Sequence, residues 1–435
     1  MSFFKLHYKW SLVGLLFFAG FLNLEDRVVI FSVLPLIRRD LHLSDLQMGG
    51  LMSAFLWVYA CCSPFAGYLG DRWSRRKVVI GCLFFWSLIT AAAGLITDGN
   101  QLLAIRVLLA ISQAFYLPAS FALLSDWHES DTRGKAVAVL TVGMNAAPIV
   151  GGALAGWVGE NYGWRVTLVL LGGVGTVLAG VMVPLLRERV SQAGRAGAEA
   201  AGPFEGFKRT LQDLIGTPSL VFIFAAMSTF SLAVWALLTW LPVYLHDRFG
   251  MTLTASGFLG NFAVSGPIVV GMLIGGYLSD KLGARKPSRR LLILITFYGL
   301  AAPWPLLFWQ ARQAVWILVA TAVFQLCRAL GEANYYPLIY ELVVAERRST
   351  SIGISNSLSS FAGGVGALVT AYFQSTLGLQ ATFALVSVLV LLAVAGLVVS
   401  YWWFFARDLA KAARPETALV PESSTARHAP AIPAR

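Results

Sequence analysis
The sequence predicts an all-α integral membrane protein: twelve transmembrane helices forming two pseudo-symmetric six-helix bundles. Three observations carry this. Of the 435 residues, 57% are hydrophobic and only 13% charged, against about 25% charged in a soluble domain. The apolar residues fall in long continuous runs divided by short charged loops. Three short segments of the first half recur, in the same order, in the second.

Crossing ~30 Å of hydrocarbon at 1.5 Å per residue takes about 20 apolar residues. Twelve stretches qualify: 11–37, 46–69, 78–97, 101–126, 135–158, 164–186, 219–245, 255–278, 291–311, 314–344, 351–376 and 380–406. They are expected to be helices because none shows the period-2 alternation of barrel strands. The first resembles a signal peptide at its start. It resumes after Glu25-Asp26-Arg27, however, and no A-x-A site ends it, so it reads as a retained helix. One long polar break divides the chain into an N-terminal bundle (1–186), a linker (187–217) and a C-terminal bundle (218–406). A tail rich in Ala, Pro and Arg (407–435) is expected to be disordered.

The net charge is +11, yet no basic stripe or recognition module points to nucleic acid. Topology explains the excess instead. With both termini cytoplasmic, 25 of the 33 Lys and Arg fall on that side, five on the other (Arg38, Arg39, Arg165, Arg248, Arg312) and three inside spans. This is the positive-inside pattern of a multi-pass protein of the inner or plasma membrane. Within the loop between spans two and three, Arg75, Arg76 and Lys77 are expected to do no more than lie near anionic lipid headgroups. Cys61, Cys62, Cys82 and Cys327 lie in apolar runs and read as buried small hydrophobes, without metal or disulfide spacing. Trp10, Trp402 and Trp403 read as interface anchors.

The repeats are local and ordered. Leu34-Pro35…Asp40 matches Leu241-Pro242…Asp247; Gly67-Tyr68-Leu69-Gly70-Asp71-Arg72 matches Gly276-Tyr277-Leu278-Ser279-Asp280-Lys281; Ser112…Pro118 matches Gly331…Pro337. A duplicated six-helix unit is a secondary-transporter architecture, with substrate near the midplane between repeats. The loop Gly67–Lys77 resembles the signature loop of the major facilitator superfamily, a likeness extending over roughly residues 10–405. Asp26-Arg27, Arg106 and Ser125-Asp126-Trp127…Arg133-Gly134 resemble two of its groups, the anion:cation symporters of sugar acids and the Spinster-type lipid transporters. The likeness implies a major facilitator fold and a latch in which Asp71, with Arg72, Arg133 and the repeat-related Asp280, gates the cytoplasmic side near Ser351. The symporters typically carry a Glu in span four where this chain has Gln113.

Three arginines lie where charge is expensive: ~2.5–3.5 kcal/mol each at a helix centre. Arg27, Arg106 and Arg328 therefore suggest a site for carboxylate or phosphate. Arg106, with no acid in its own helix, is the best anchor; Arg328 is expected to touch Glu332 at i,i+4. Asp26 is expected to reach a different helix from Arg27. Gln113, Tyr116, Tyr335 and Tyr336 are further substrate-binding candidates. Asp26, Glu25 and Glu332 are candidates for proton coupling; Gln113 cannot titrate, so either Asp26 or Glu332 takes over or transport is uncoupled. The small residues Gly143…Pro148…Gly151-Gly152 of span five are expected to serve helix packing.

The expected protein is thus a monomeric secondary transporter of a small organic anion, working by alternating access in the bilayer. It needs no cofactor or metal and draws on the proton gradient. Transport of a lysolipid, uncoupled diffusion and a non-transporting receptor remain as alternatives. An enzyme is disfavoured because the five His sit near loops or termini.

Overall fold
The computed structural model describes residues 2–128, 130–187, 211–283, 286–343 and 348–412; the side chains of 2–7, 64, 67–72, 130, 131, 133, 134, 349 and 375 lie outside the described set. The N-terminal half comprises α1 (Ser2–Asp40), α2 (Asp45–Arg72), α3 (Arg75–Ala93), α4 (Gly99–Ala114), α5 (Tyr116–Trp127), α6 (Ser130–Tyr162) and α7 (Trp164–Leu185). In the C-terminal half are α8 (Pro218–Phe249), α9 (Leu253–Leu278), α10 (Pro287–Ala301), α11 (Leu307–Gln310), α12 (Ala314–Glu332), α13 (Tyr335–Leu342), α14 (Arg348–Trp403) and α15 (Phe405–Ala412). Most of the 187–217 linker and the tail beyond 412 lie outside the described residues.

Among the described residues, eleven helical segments are long and apolar enough to cross a membrane, and they coincide with expected spans two to twelve. The first expected span lies within α1, whose 39 residues suffice in length but carry three charged residues in the middle. Among the described residues there is no strand.

The punctuation repeats as well as the spans. Spans four and ten are each broken, between α4 and α5 and between α12 and α13. Pro118 and Pro337 lack an N–H and crowd the carbonyl four residues back, so the helix stops at Ala114 in one half and Glu332 in the other. Gly163 (φ 88°) turns the chain between α6 and α7, and Gly378 (φ 78°) bends α14 into spans eleven and twelve. The left-handed region costs glycine little. Arg75 of α3 pairs with Asp126 of α5, and Arg290 of α10 pairs with Glu341 of α13 at 2.8 Å. In each half the arginine and its acid are 51 residues apart.

That ion pair corrects an expectation. Arg75 is engaged by Asp126, and Arg76 donates to the carbonyls of Val183 and Leu186 at the end of α7. Those carbonyls are the unsatisfied, negative end of the helix, so both arginines brace the bundle rather than meeting only lipid. The cysteines also differ: Cys61 is exposed and the other three are half-buried, all unpaired. A lipid-facing helix surface accepts a small apolar side chain as readily as a core does. Trp10, Trp402 and Trp403 are exposed, as interface anchors should be.

The halves meet along α2 with α14, α6 with α9 and α1 with α8. Within the described residues these contacts gather away from the ends carrying the basic loops; the two ends are called here the basic and the opposite face. At the opposite face Glu160 of α6 accepts from the Leu253 N–H and the Thr254 hydroxyl, both at 2.5 Å, at the start of α9. Arg38 of α1 bridges Asp45 of α2 (3.2 Å) and Asp247 of α8 (3.8 Å). Ser53 donates to the Gly364 carbonyl at 2.7 Å and Trp57 to that of Phe361 at 3.1 Å. The conformer is closed at the opposite face.

At the basic face α15 is tied to the start of α8. Thr217 offers that helix no side-chain cap; instead buried Asp408 accepts from the Ser219 N–H (3.0 Å) and hydroxyl (2.8 Å). A carboxylate capping a helix N-terminus contributes about 1 kcal/mol or more. Asp408→Ala is expected to lower the melting temperature in detergent by a few degrees; an unchanged melting curve would remove the tether.

Candidate functional site
Successive side chains on a helix diverge by about 100°, so Glu25, Asp26 and Arg27 of α1 point to three different neighbours. Glu25 turns to α6. A Cβ at Gly151 would stand 1.6 Å from its Oε2, so only glycine leaves room for the carboxyl group. Glu25 is 2% exposed and its Oε2 has no hydrogen-bond partner among the described residues. Asp26 turns to α3, where the Thr90 hydroxyl donates to Oδ1 at 2.8 Å. It reaches a different helix from Arg27, as the spacing predicts.

Arg27 turns to α2 and α4. Its Nε donates to Gln113 Oε1 (2.9 Å) and its Nη2 to Asn23 Oδ1 (3.1 Å), one turn back on α1. Its guanidinium lies 4.4 Å from the Tyr59 ring centre and 5.5 Å from that of Phe55, within cation–π range. Both bonded acceptors are neutral, and among the described residues no carboxylate pairs with it. The Gln113 Nε2 and Asn23 Nδ2 amides, turned away by these bonds, have no partner among the described residues. The result is a buried group of donors around one cation, which an anion's lone pairs would satisfy.

Arg106, 2% exposed, is used differently. Nε donates to the Leu51 carbonyl (3.4 Å), Nη1 to that of Asp26 (3.3 Å), and Nη2 to that of Arg27 (3.2 Å) and to Met52 Sδ (3.4 Å). The Phe55 ring centre lies 4.7 Å away, so one ring serves both arginines. Arg106 thus ties α4 to the backbones of α1 and α2, directly beneath Arg27.

The repeat-related residues form a second group. Arg328 Nε donates to Gln325 Oε1 at 3.0 Å, leaving the Gln325 Nε2 without a partner among the described residues. The guanidinium also pairs with Glu332 at i,i+4, so here the charge is answered within one helix. Tyr335 is buried and bonds the Ser355 hydroxyl, whereas Tyr336 is 40% exposed. Tyr116 is enclosed in the N-terminal bundle, donating to the Leu16 carbonyl and meeting Trp86 edge-on. Asp280 is exposed in a π-helical turn, Ser279–Gly283. The side chains of Asp71, Arg72 and Arg133 lie outside the described residues.

The structure therefore unites Asp26, Arg27, Arg106 and Gln113, and leaves Arg328 with Glu332 in the other half. Asn23, Phe55, Tyr59 and Thr90 complete the first group and were not singled out from sequence. Asn23 and Arg27, like Phe55 and Tyr59, are i,i+4 pairs that helical periodicity could have flagged. Thr90 had no such signal, because only packing brings α3 to α1. The span-five glycines serve close approach: Gly143 faces Phe17, Gly151 faces Glu25, and Gly152 faces Asn261 and Gly257 of α9.

A repeated helical membrane fold with a buried charge network is that of a secondary transporter. Residues 16–308 and 262–433 match the family model of the Major Facilitator Superfamily. The chain belongs to that superfamily and is a multi-pass membrane transporter, not an enzyme. It is 29% identical over 377 residues to an MFS-type efflux pump of Mycolicibacterium smegmatis, covering 85% of each chain. With a hexuronate transporter of Bacillus subtilis it shares 26% over 387 residues, 85% of this chain and 89% of the other. A bacterial homolog of the human lysosomal transporter Spinster, solved in an inward-facing, unoccupied conformation, shares the fold. Its TM-score is 0.74 at 20% identity, covering 94% of this chain and 99% of that one.

Proposed function
We propose that this transporter carries a small organic anion, a carboxylate such as a sugar acid, across the inner or plasma membrane by alternating access coupled to protons. One observation carries the reading: Arg27 is buried at mid-span on neutral acceptors, beside two amide donors that lack partners. A carboxylate supplies what such a group lacks, and a guanidinium binds it through a planar fork. The hexuronate transporter among its relatives supports this substrate class. Arg27 touches the substrate and Arg106 positions it, holding the backbone of residues 26 and 27 in place. Both termini face the cytoplasm, so the closed opposite face is the outer one.

Coupling follows from charge. With Glu25 and Asp26 ionised, Arg27 and Arg106 are formally balanced; a proton on Asp26 leaves the cations in excess and favours the anion. Asp26 suits this role because it adjoins Arg106, whose Nη1 donates to the Asp26 backbone carbonyl. Glu332 would serve in the same way by releasing Arg328.

The test is counterflow and pH-driven uptake in proteoliposomes against sugar acids, aromatic acids and lysolipids. Asp26→Asn is expected to retain exchange while losing the response to a pH gradient. Uptake that still follows the gradient in both Asp26→Asn and Glu332→Gln would overturn the coupling scheme. Transport of lysolipid alone would favour an amphiphile carrier, for which the Phe55 and Tyr59 rings offer apolar surface.

A further inference from the structure
The flank of α3 holds a cavity of about 670 Å³, whose lining includes none of the residues of the arginine network. Ser74, Val78, Gly81 and Phe85 line one wall, three to four residues apart and hence on one helical stripe, with Lys77 beside them. Phe115, at the break between α4 and α5, lines the other. Trp73 and Phe85 are 58% and 60% exposed. Among the described residues nothing lies within 4 Å of where a Cβ at Gly81 would stand, so the groove has an open notch midway.

Its polarity changes along its length. Arg75 and Arg76 are engaged by Asp126 and the end of α7, whereas Lys77 is exposed and makes no ion pair among the described residues. That cation and the Trp73 indole mark the end nearest the basic face; beyond them the wall is apolar. From Arg75 to Phe85 the helix rises about 15 Å, the hydrocarbon depth of one leaflet, half of ~30 Å.

We propose that this groove binds one anionic phospholipid of the leaflet at the basic face. The headgroup phosphate sits on Lys77 beside Trp73, and one acyl chain fills the Gly81 notch between Phe85 and Phe115. Charge complementarity selects the headgroup and groove length selects a chain of one leaflet. The lipid then braces α3 against the break in span four.

The full chain is released from micelles containing equal phosphatidylglycerol and phosphatidylcholine, and retained lipid is counted by native mass spectrometry. Wild-type protein is expected to keep one phosphatidylglycerol in preference. Lys77→Gln should reduce its retention about fivefold, the effect of one basic residue at a lipid surface, to the level of phosphatidylcholine. Gly81→Leu, whose Cβ stands in open space, should lower both lipids; melting curves confirm that each variant is folded. Glycerol phosphate in solution should not displace the lipid. Equal retention by all three proteins, no headgroup preference in the wild type, or displacement by free glycerol phosphate would each overturn the proposal.

Discussion
Replacing Arg27 by alanine is expected to cut anion uptake about thirtyfold or more while the protein still folds. Its bonds to Gln113 and Asn23 are to neutral groups, so its loss strands no buried counter-charge bonded to it. Losing a hydrogen-bonded charge partner of a bound carboxylate costs about 2–5 kcal/mol, some thirtyfold or more in uptake at limiting substrate. Arg106→Ala behaves differently. Removing a mid-bilayer arginine returns about 2.5–3.5 kcal/mol of insertion cost, but three bonds to carbonyls are lost at about 1.5 kcal/mol each, the low end for charged donors. Such lengths, 3.2–3.4 Å, warrant the low end. The net loss of about 1–2 kcal/mol appears as a lower melting temperature together with weakened transport. Substrate-induced thermal stabilisation separates the two roles: Arg27→Ala loses it at unchanged basal stability, and Arg106→Ala retains part of it from a lower baseline. The reverse pattern would exchange the roles of the two arginines.

Leucine at Gly156 or Gly257 keeps the opposite face from closing. A Cβ on Gly156 would stand 2.6 Å from the Leu253 carbonyl oxygen, and one on Gly257 2.5 Å from that of Gly152. Both obstacles are backbone, which cannot step aside as a side-chain tip does. Overpacking costs about 1–3 kcal/mol, and two transporter states differ by only a few kcal/mol, so the closed state is strongly depleted. Spin labels at Tyr162 and Phe258, exposed on α6 and α9, should show a longer distance in either variant, with uptake lost. Unchanged distances with normal uptake would mean that this contact is not part of the cycle.

Much of this molecule is legible in the chain because bilayer physics simplifies the reading. Span length, loop charge and the recurrence of Pro118 and Pro337 follow from apolar runs and from a residue that cannot continue a helix. The site was legible only in part. Arg27, Arg106 and Arg328 stand out because charge is expensive in hydrocarbon, and Arg328 with Glu332 follows from i,i+4 spacing. The division of labour between Arg27 and Arg106 does not, since it depends on which acceptors three separate helices bring within reach. The roles of Arg75 and Arg76 were hidden for the same reason: their partners lie on α5 and α7, remote in sequence.

The sequence by itself determined the number of spans, their division into two related halves and the presence of unusual charge at mid-membrane. These are properties of local composition, which the bilayer tests residue by residue. Tertiary structure alone decided that Gly151 makes room for Glu25, that Asp26 meets Thr90, and that Arg27 is left among neutral donors and acceptors while Arg106 is spent on backbone. Each depends on the approach and rotation of neighbouring helices, which packing sets and no single run of residues encodes.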